Sequence, residues 1–167
     1  YVTPGSVVDD EARERGTSVY LVDRTVPMLP EKLCNKLCSL RPDEEKLTFS
    51  AVFEMTPLGR IASQWFGKTV ILSDRRYAYE EAQQIIENPS DESLDTPELR
   101  EAVLTLHALA SKLRKKRFAS GAISFERPEM KVEVDEKGRP VNVYQKVTKE
   151  ANWLIEEFML LANRSVA

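Results

Sequence analysis

The sequence lacks long apolar runs. No stretch of this 167-residue chain approaches the roughly 20 consecutive apolar residues of a membrane-spanning helix, and no basic segment followed by an apolar one opens it. We therefore predict neither a membrane span nor a membrane partner, and see no export signal. Cysteine is scarce as well: Cys34 and Cys38 are four residues apart in a helical pattern, which favours reduced thiols over a C-x-x-C zinc site. A cytoplasmic location fits this pattern.

Residues for common catalytic sites are also scarce. The single histidine, His107, falls within a predicted helix, where we interpret it as structural. The chain has no G-x-S-x-G nucleophile elbow, no P-loop and no G-x-G-x-x-G. Its 27 Asp and Glu residues are scattered, without the dense aspartate cluster that a two-metal site requires. The residues by themselves therefore indicate no complete active site.

What is present is an ordinary globular composition. Hydrophobic residues make up 42% and charged residues 31% of the chain, and the length suits one domain over residues 1–167. The chain opens on "YVTPGS", which is typical of a strand entering a Pro-Gly turn. It ends in a helical period without a Gly or Pro stop. We therefore expect a piece of a longer protein, cut at both ends.

The first 45 residues carry several start and stop signals. Asp9 is predicted to cap a short helix, which Gly16 ends because a left-handed residue is needed there. Residues 18–26 are β-rich and are predicted to be extended. Pro30 stands where the first turn of a helix tolerates proline, so a helical turn should follow it.

A hairpin is predicted next. "PLGR" lies between two β-rich runs, "KLTFSAVFEMT" and "IASQWFGKTVIL", so the two should pair in an antiparallel manner. Apolar and polar residues alternate along the first run, which predicts a strand with one buried face. The apolar members of that face are Leu47, Phe49, Ala51, Phe53 and Met55.

The second half mixes helices and strands. "AYEEAQQIIE" is predicted to be helical, and Thr96 with Pro97 opens a long helix that stops at Gly121. Strands are predicted at "AISFE", "MKVEV" and "VNVYQK", and the last 20 residues have a helical period. The prediction is an α+β fold, with a largely antiparallel sheet and flanking helices.

One charge cluster stands out. "KLRKKR", residues 112–117, holds five cations in six residues although the chain has a net charge of −3. Cations at a helix C-terminus are favoured by the helix dipole, which is one interpretation. A phosphate-binding patch is the other, because clustered Lys and Arg carry nucleic-acid affinity. The sequence pI of 5.4 argues against a stand-alone nucleic-acid binder but not against a segment of a larger protein.

The order of three sequence blocks indicates a family. They are "YVTPGSVVDDEARERGTSVYLVDRTVPMLPEKLCNKLCSL" at the start, "GAISFERPE" at 121–129 and "ANWLIEEFMLLAN" at 151–163. Together they resemble the RNB catalytic domain of the RNase II and RNase R family, with RNase R closer than RNase II in the "RGTSVY" block. The resemblance implies a segment of a processive 3′-to-5′ exoribonuclease that hydrolyses single-stranded RNA to nucleoside 5′-monophosphates.

The same resemblance implies roles for three residues. Tyr20 matches a tyrosine that stacks on a base near the RNA 3′ end and helps to set the length of the final product. Phe125 matches the aromatic residue on the other side of that stack, and Glu156 matches a carboxylate that contacts the substrate near the scissile end. Without the resemblance, Tyr20 and Phe125 would be interpreted as sheet residues, and Glu156 with Glu157 as the solvated edge of a helix.

The resemblance also implies Mg²⁺ in the intact parent enzyme. The family's aspartate motif "D-x-x-D-F-D-D-A" and its later "T-S-P-I-R-R-Y" block are absent from these 167 residues. We therefore expect the metal ligands to lie outside the chain and the chain alone to be inactive. The alternative is a non-catalytic RNB-like module that binds RNA or a protein partner. The expected partner is single-stranded RNA, and no oligomeric state follows from the sequence.

Overall fold

The computed structural model describes residues 1–21, 24–123, 129–135 and 139–167. Within these ranges the helices are α1 (Val7–Arg15), α2 (Tyr79–Glu87), α3 (Pro97–Ala119) and α4 (Glu150–Val166), with a π-helical turn at Leu33–Leu37. The strands are β1 (Val19–Tyr20), β2 (Thr25–Val26), β3 (Glu45–Met55), β4 (Ile61–Leu72), β5 (Glu129–Val134) and β6 (Pro140–Lys146). The predicted α+β class is confirmed. In the described ranges the strands pair as three two-stranded sheets, β1–β2, β3–β4 and β5–β6.

The chain divides into two compact units. The first comprises Tyr1–Thr48, Thr69–Arg76 and Pro128–Lys146, and the second comprises Phe49–Lys68, Tyr77–Arg127 and Val147–Ala167. The assignment of residues 1–167 to a single domain stays a prediction. No helix in the described ranges has both the length and the apolar character that a membrane crossing requires.

Ser6, and not Asp9, caps α1. The Ser6 hydroxyl accepts a hydrogen bond of 3.4 Å from the Asp9 amide, so the predicted cap at Asp9 is wrong. The Asp9 carboxylate instead accepts a hydrogen bond of 2.8 Å from the Gly5 amide, in the turn before the helix. Gly16 ends the helix as predicted, with a φ of 69° that a side chain would disfavour.

The prediction that residues 18–26 form one extended segment is wrong, because Tyr20 and Thr25 face each other in antiparallel strands; residues 22–23 of this run lie outside the described residues. Val19 lies opposite Val26 in the antiparallel pair of β1 and β2. The Leu21 amide donates a hydrogen bond of 2.8 Å to the Arg24 carbonyl, which closes the reversal. Residues 21–24 contain one common turn residue, Asp23, but no Gly or Pro, so the turn signal in the sequence is weak.

The hairpin of β3 and β4 forms with the predicted turn. The Thr56 amide donates a hydrogen bond of 2.9 Å to the Arg60 carbonyl, and Gly59 has a φ of 72°. A positive φ is the reason that "PLGR" needs its glycine. Toward the turn, the rings of Phe53 and Phe66 meet edge to face with centroids 6.1 Å apart.

The predicted buried face of β3 is wrong at the start of the strand. Leu47 and Phe49 are 66% and 71% exposed, whereas Lys46 is buried. The Lys46 ammonium donates a hydrogen bond of 3.0 Å to the Lys36 carbonyl and lies 2.6 Å from a Glu44 oxygen. Alternation shows which residues share a face, but burial requires another layer over that face, and alternation does not provide it.

The core of the second unit lies among α2, α3 and α4. Thr96 caps α3 through a hydrogen bond of 3.4 Å from the Leu99 amide, with Pro97 in the first turn as predicted. The amide nitrogen of buried Gln83 donates a hydrogen bond of 2.8 Å to the Glu150 carboxylate, and its amide oxygen accepts one of 3.0 Å from the Ala151 amide. These two bonds tie α2 to the start of α4. The buried apolar residues are Ile85, Val103, Ala110, Leu113, Ala151, Leu154 and Leu161.

Two of the last three predicted strands can be compared with the structure. "MKVEV" and "VNVYQK" are confirmed as β5 and β6, which pair antiparallel with Val132 opposite Val143. The predicted strand "AISFE" falls largely on residues 124–126, which lie outside the described residues. The predicted C-terminal helix is confirmed as α4.

Candidate functional site

The predicted site residues fall in different parts of the chain. Tyr20 is in the first unit and Glu156 is in the second. Phe125 lies outside the described residues. Tyr20 and Glu156 are therefore described each within its own unit.

Tyr20 stands on an anchored hairpin. The Ser18 hydroxyl, next to β1, accepts a hydrogen bond of 3.0 Å from the Met28 amide, and Arg15 donates one of 3.2 Å to the Pro27 carbonyl. These bonds tie the hairpin to the end of α1 and to the segment after β2. Tyr20 itself is 80% exposed, so its ring is available to a flat partner.

Glu156 and Glu157 are neighbours on α4 with opposite surroundings. The Glu156 side chain is 45% exposed, whereas that of Glu157 is 2% exposed. The interpretation of both glutamates as a solvated edge is therefore wrong for Glu157. Of the two carboxylates, that of Glu156 is the one accessible to an external molecule.

Arg117 joins both carboxylates to α3. Its Nε donates a hydrogen bond of 3.0 Å to Oε1 of Glu157, and its Nη2 donates one of 2.5 Å to the same oxygen. Nη2 also donates 2.8 Å to Oε1 of Glu156. The hydrogen bonds with Glu157 raise the pKa of Arg117 above its ordinary value, so the guanidinium is charged at any pH at which the protein is folded.

Sequence reasoning missed this pair of glutamate and arginine, although a signal was present. Glu157 comes three residues after Leu154 and four before Leu161, both of which are buried, so it lies on the core-facing side of the helix. A charged residue at such a position needs a partner of opposite charge. The cation cluster of residues 112–117 was one candidate.

The structure divides that cation cluster in two. The Arg114 guanidinium lies 4.4 Å from the ring centroid of Trp153 and 4.8 Å from that of Phe118, and Lys112 donates a hydrogen bond to the Pro57 carbonyl. Arg117 pairs with Glu157 as above. The side chains of Lys115 and Lys116 are exposed, and neither forms a hydrogen bond or ion pair with another residue in the described ranges. The helix-dipole and phosphate-binding interpretations therefore both remain for these two lysines.

A cavity of about 490 Å³ lies along α3 and α4. His107 lines it from α3 and Glu150 from α4. Hydrogen bonds from the backbone of Glu150 itself and then from Gln83 hold the pKa of the Glu150 carboxyl below its ordinary value of 4.5, and the charge of His107 acts in the same direction. The structural role of His107 stays a prediction.

The described residues do not fit the metal that the resemblance implies. Among them, no group of three or more His, Cys, Asp or Glu side chains is placed to hold a metal ion. Cys34 and Cys38 are free thiols, and the Cys34 thiol donates to the Leu29 carbonyl at 3.1 Å.

A family model described as "RNB domain" matches residues 1–167. The chain belongs to the RNB domain family. This RNB chain is 46% identical over 179 residues to DIS3-like exonuclease 2 of Schizosaccharomyces pombe, covering 100% of the chain and 19% of that protein. It is 40% identical over 170 residues to Ribonuclease R 1 of Lactococcus lactis, covering 100% of the chain and 20% of that protein. The RNB chain thus spans about a fifth of the length of these relatives.

Solved structures agree with the family assignment. RNase R of Mycoplasma genitalium, in complex with ribose methylated single-stranded RNA, matches with a TM-score of 0.90 at 31% identity, covering 100% of this chain and 26% of that one. Yeast Ssd1, described as a pseudonuclease, matches with a TM-score of 0.67 at 26% identity, covering 99% of this chain and 20% of that one. The predicted resemblance to the RNB domain is confirmed.

Proposed function

We propose that the RNB chain is part of a processive 3′-to-5′ exoribonuclease that releases nucleoside 5′-monophosphates from single-stranded RNA. The observation that carries this proposal is the match of the whole chain to the RNB domain, in relatives named as exonucleases and in an RNase R structure with bound RNA. The chain contributes contacts to the RNA rather than a complete active site. A cytoplasmic location is part of the same proposal.

Tyr20 is proposed to stack on a base near the RNA 3′ end. Its exposure on an anchored hairpin supports this role, since a flat ring held by backbone hydrogen bonds can receive a base with little rearrangement. Stacking on one aromatic ring contributes about 1–3 kcal/mol per base without selecting a sequence. A processive nuclease needs contacts that accept any base. Phe125 is proposed as the second ring of the stack on the resemblance alone.

Glu156 is proposed to contact the substrate near the scissile end. Its carboxylate is accessible, and its orientation is set by the hydrogen bond of 2.8 Å from Arg117. A carboxylate accepts hydrogen bonds from ribose hydroxyls, and a hydrogen bond to a charged group contributes roughly 1.5–3 kcal/mol. The carboxylate of Glu157 is already committed to Arg117 and is not proposed to contact RNA.

Divalent metal, expected to be Mg²⁺, is proposed to be held by residues of the protein outside this chain. The proposal rests on the resemblance, because the family's aspartate motif does not occur in these 167 residues. The chain on its own is therefore proposed to be inactive.

The test uses the full-length protein that carries this chain, incubated with 5′-labelled single-stranded RNA. With Mg²⁺, the labelled RNA should shorten stepwise from its 3′ end and release nucleoside 5′-monophosphates, and an excess of chelator should stop the reaction. Internal cleavage, or no shortening with any divalent metal, would contradict the proposal. In parallel, the 167-residue chain should leave the RNA intact, and shortening that survives stringent purification would contradict its inactivity.

A second candidate is a non-catalytic RNB module that binds RNA or a protein partner. The similarity to yeast Ssd1, described as a pseudonuclease, favours it specifically. The protein's residues upstream of "YVTPGS" distinguish the two, because an intact aspartate motif there predicts an enzyme and its loss predicts a binding protein. In the RNA assay, this candidate predicts a gel shift without any shortening.

A further inference from the structure

Arg117 contacts two carboxylates that differ in burial. It donates to buried Glu157 through two nitrogens, and the nitrogen Nη2 also reaches Oε1 of exposed Glu156 at 2.8 Å. A guanidinium Nη carries two hydrogens, so Nη2 can serve both acceptors at once. The two bonds therefore link the orientation of the exposed carboxylate to that of the buried one.

We propose that Arg117 is a positioning residue, which uses buried Glu157 as an anchor to hold the Glu156 carboxylate ready for the substrate. This inference rests on the proposed contact between Glu156 and RNA. Arg117 does not touch the substrate in this proposal and acts through Glu156.

The anchor is rigid because Glu157 is enclosed. Its side chain is 2% exposed and accepts from Nε and Nη2 of one planar guanidinium, which fixes that plane. The Arg117 guanidinium also lies 5.0 Å from the ring centroid of Phe118, and its side chain is 20% exposed. A group held from several directions can fix the position of a more mobile one.

The bond to Glu156 leaves one oxygen available. Arg117 engages Oε1, whereas Arg114, the other described cation that pairs with Glu156, stays 3.9 Å from Oε2, which is beyond hydrogen-bond distance. Oε2 is therefore the acceptor that a substrate can use. A carboxylate oriented in advance loses less conformational freedom when the substrate arrives, which favours the reaction.

Lysine cannot reproduce this arrangement. Its ammonium is a point charge on a flexible stem, whereas the arginine fork donates in fixed, parallel directions. Arg117→Lys should therefore keep a positive charge beside Glu157 but lose the fixed orientation of Glu156. This one substitution therefore separates the effect of the positive charge from the effect of the hydrogen-bond geometry.

Arg100 provides a matched control on the same helix. Arg100 donates a hydrogen bond of 3.1 Å to the Asp91 carbonyl and lies 17 positions before Arg117 on α3, so Arg100→Lys makes the same chemical change away from Glu156. In the full-length protein, Arg117→Lys should slow single-turnover shortening of 5′-labelled RNA about tenfold, the effect of one charged hydrogen bond. Arg100→Lys should retain the rate of the unmodified protein.

The double variant Arg117→Lys with Glu156→Gln decides between positioning and a purely structural role. If Arg117 acts through Glu156, the double variant should be no slower than Glu156→Gln alone. Losses that multiply, or an equal loss of rate in Arg100→Lys, would overturn the inference and leave the proposed function standing. An unchanged rate for Glu156→Gln would overturn both the proposed role of Glu156 and the inference about Arg117. If the unmodified protein does not shorten RNA at all, the proposed function is overturned together with both.

Discussion

The two candidate RNA contacts are supported in different ways. Tyr20 belongs to a pair of two-residue strands and is held by hydrogen bonds that its neighbours make through their backbones and short side chains. Glu156 belongs to a helix of 17 residues and is held by an arginine whose other partner is buried. A small hairpin that buries few side chains can thus present an aromatic contact, whereas the oriented carboxylate of Glu156 depends on buried residues of the core. Substitutions should therefore affect stability very differently in the two regions.

The largest expected effect lies in the core beneath α4. Leu154 is buried there, so Leu154→Ala should lower the free energy of unfolding by about 4 kcal/mol, through lost apolar burial and a cavity. Val19 is exposed on β1, and Val19→Ala should lower it by less than about 1 kcal/mol. Urea unfolding followed by circular dichroism measures both. Equal losses would show that the hairpin is packed as tightly as the helix.

The next largest effect separates the adjacent glutamates. Glu157→Ala leaves Arg117 without its anchor and should lower the free energy of unfolding by about 3 kcal/mol, because a partly buried charge loses its partner. Glu156→Ala removes an exposed partner and should lower it by less than about 1 kcal/mol. The same urea experiment checks both variants. The asymmetry would be disproved by a loss for Glu156→Ala as large as that for Glu157→Ala.

The smallest effect is a pH dependence at the start of α4. The folded-state pKa of Glu150 lies below its ordinary value of 4.5, first through the hydrogen bond of its own backbone amide and then through that of Gln83. A lowered folded pKa stabilises the protein above pH 4.5, and this contribution is lost as the pH falls through the folded pKa. The Tm should therefore fall between pH 5 and pH 3, and less steeply for Glu150→Gln than for the unmodified protein. Parallel curves of Tm against pH for the two proteins would show that Glu150 does not cause this pH dependence.

Local signals predicted the helices well. Thr96 and Pro97 mark the start of α3, and Gly121, with a φ of 94°, follows its last turn. Capping depends on a few neighbouring residues, so a sequence can show it directly. The antiparallel pairing of β1 and β2 was missed because the sequence between them has Asp23 but neither Gly nor Pro.

Burial was harder to predict than secondary structure. The strand limits of β3 and β4 were close to those observed, yet Leu47 and Phe49 are exposed and Lys46 is buried. Burial depends on what another part of the chain, or another molecule, places over a face, and the alternation of residues does not contain that information.

The site residues came from the family resemblance and not from physical chemistry. Nothing in propensity or periodicity distinguishes Tyr20 from an ordinary strand tyrosine. The Arg117 contacts could be predicted only in part, since Glu157 on a core-facing position requires a cation, but the pair joins residues 40 positions apart. Choosing Arg117 over its cationic neighbours requires the geometry of α3 and α4.

The decisive measurement compares Tyr20→Ala and Glu156→Gln in the full-length protein, with single-turnover rate and end-product length read from the same ladder of 5′-labelled RNA. Tyr20→Ala should lengthen the final undigested product and leave the rate of the earlier steps nearly unchanged, because it removes a stacking contact. Glu156→Gln should slow the steps roughly tenfold or more without changing the final length, because it weakens a charged hydrogen bond at the scissile end. An unchanged ladder for Tyr20→Ala, or the same change in both variants, would contradict separate roles for the two residues.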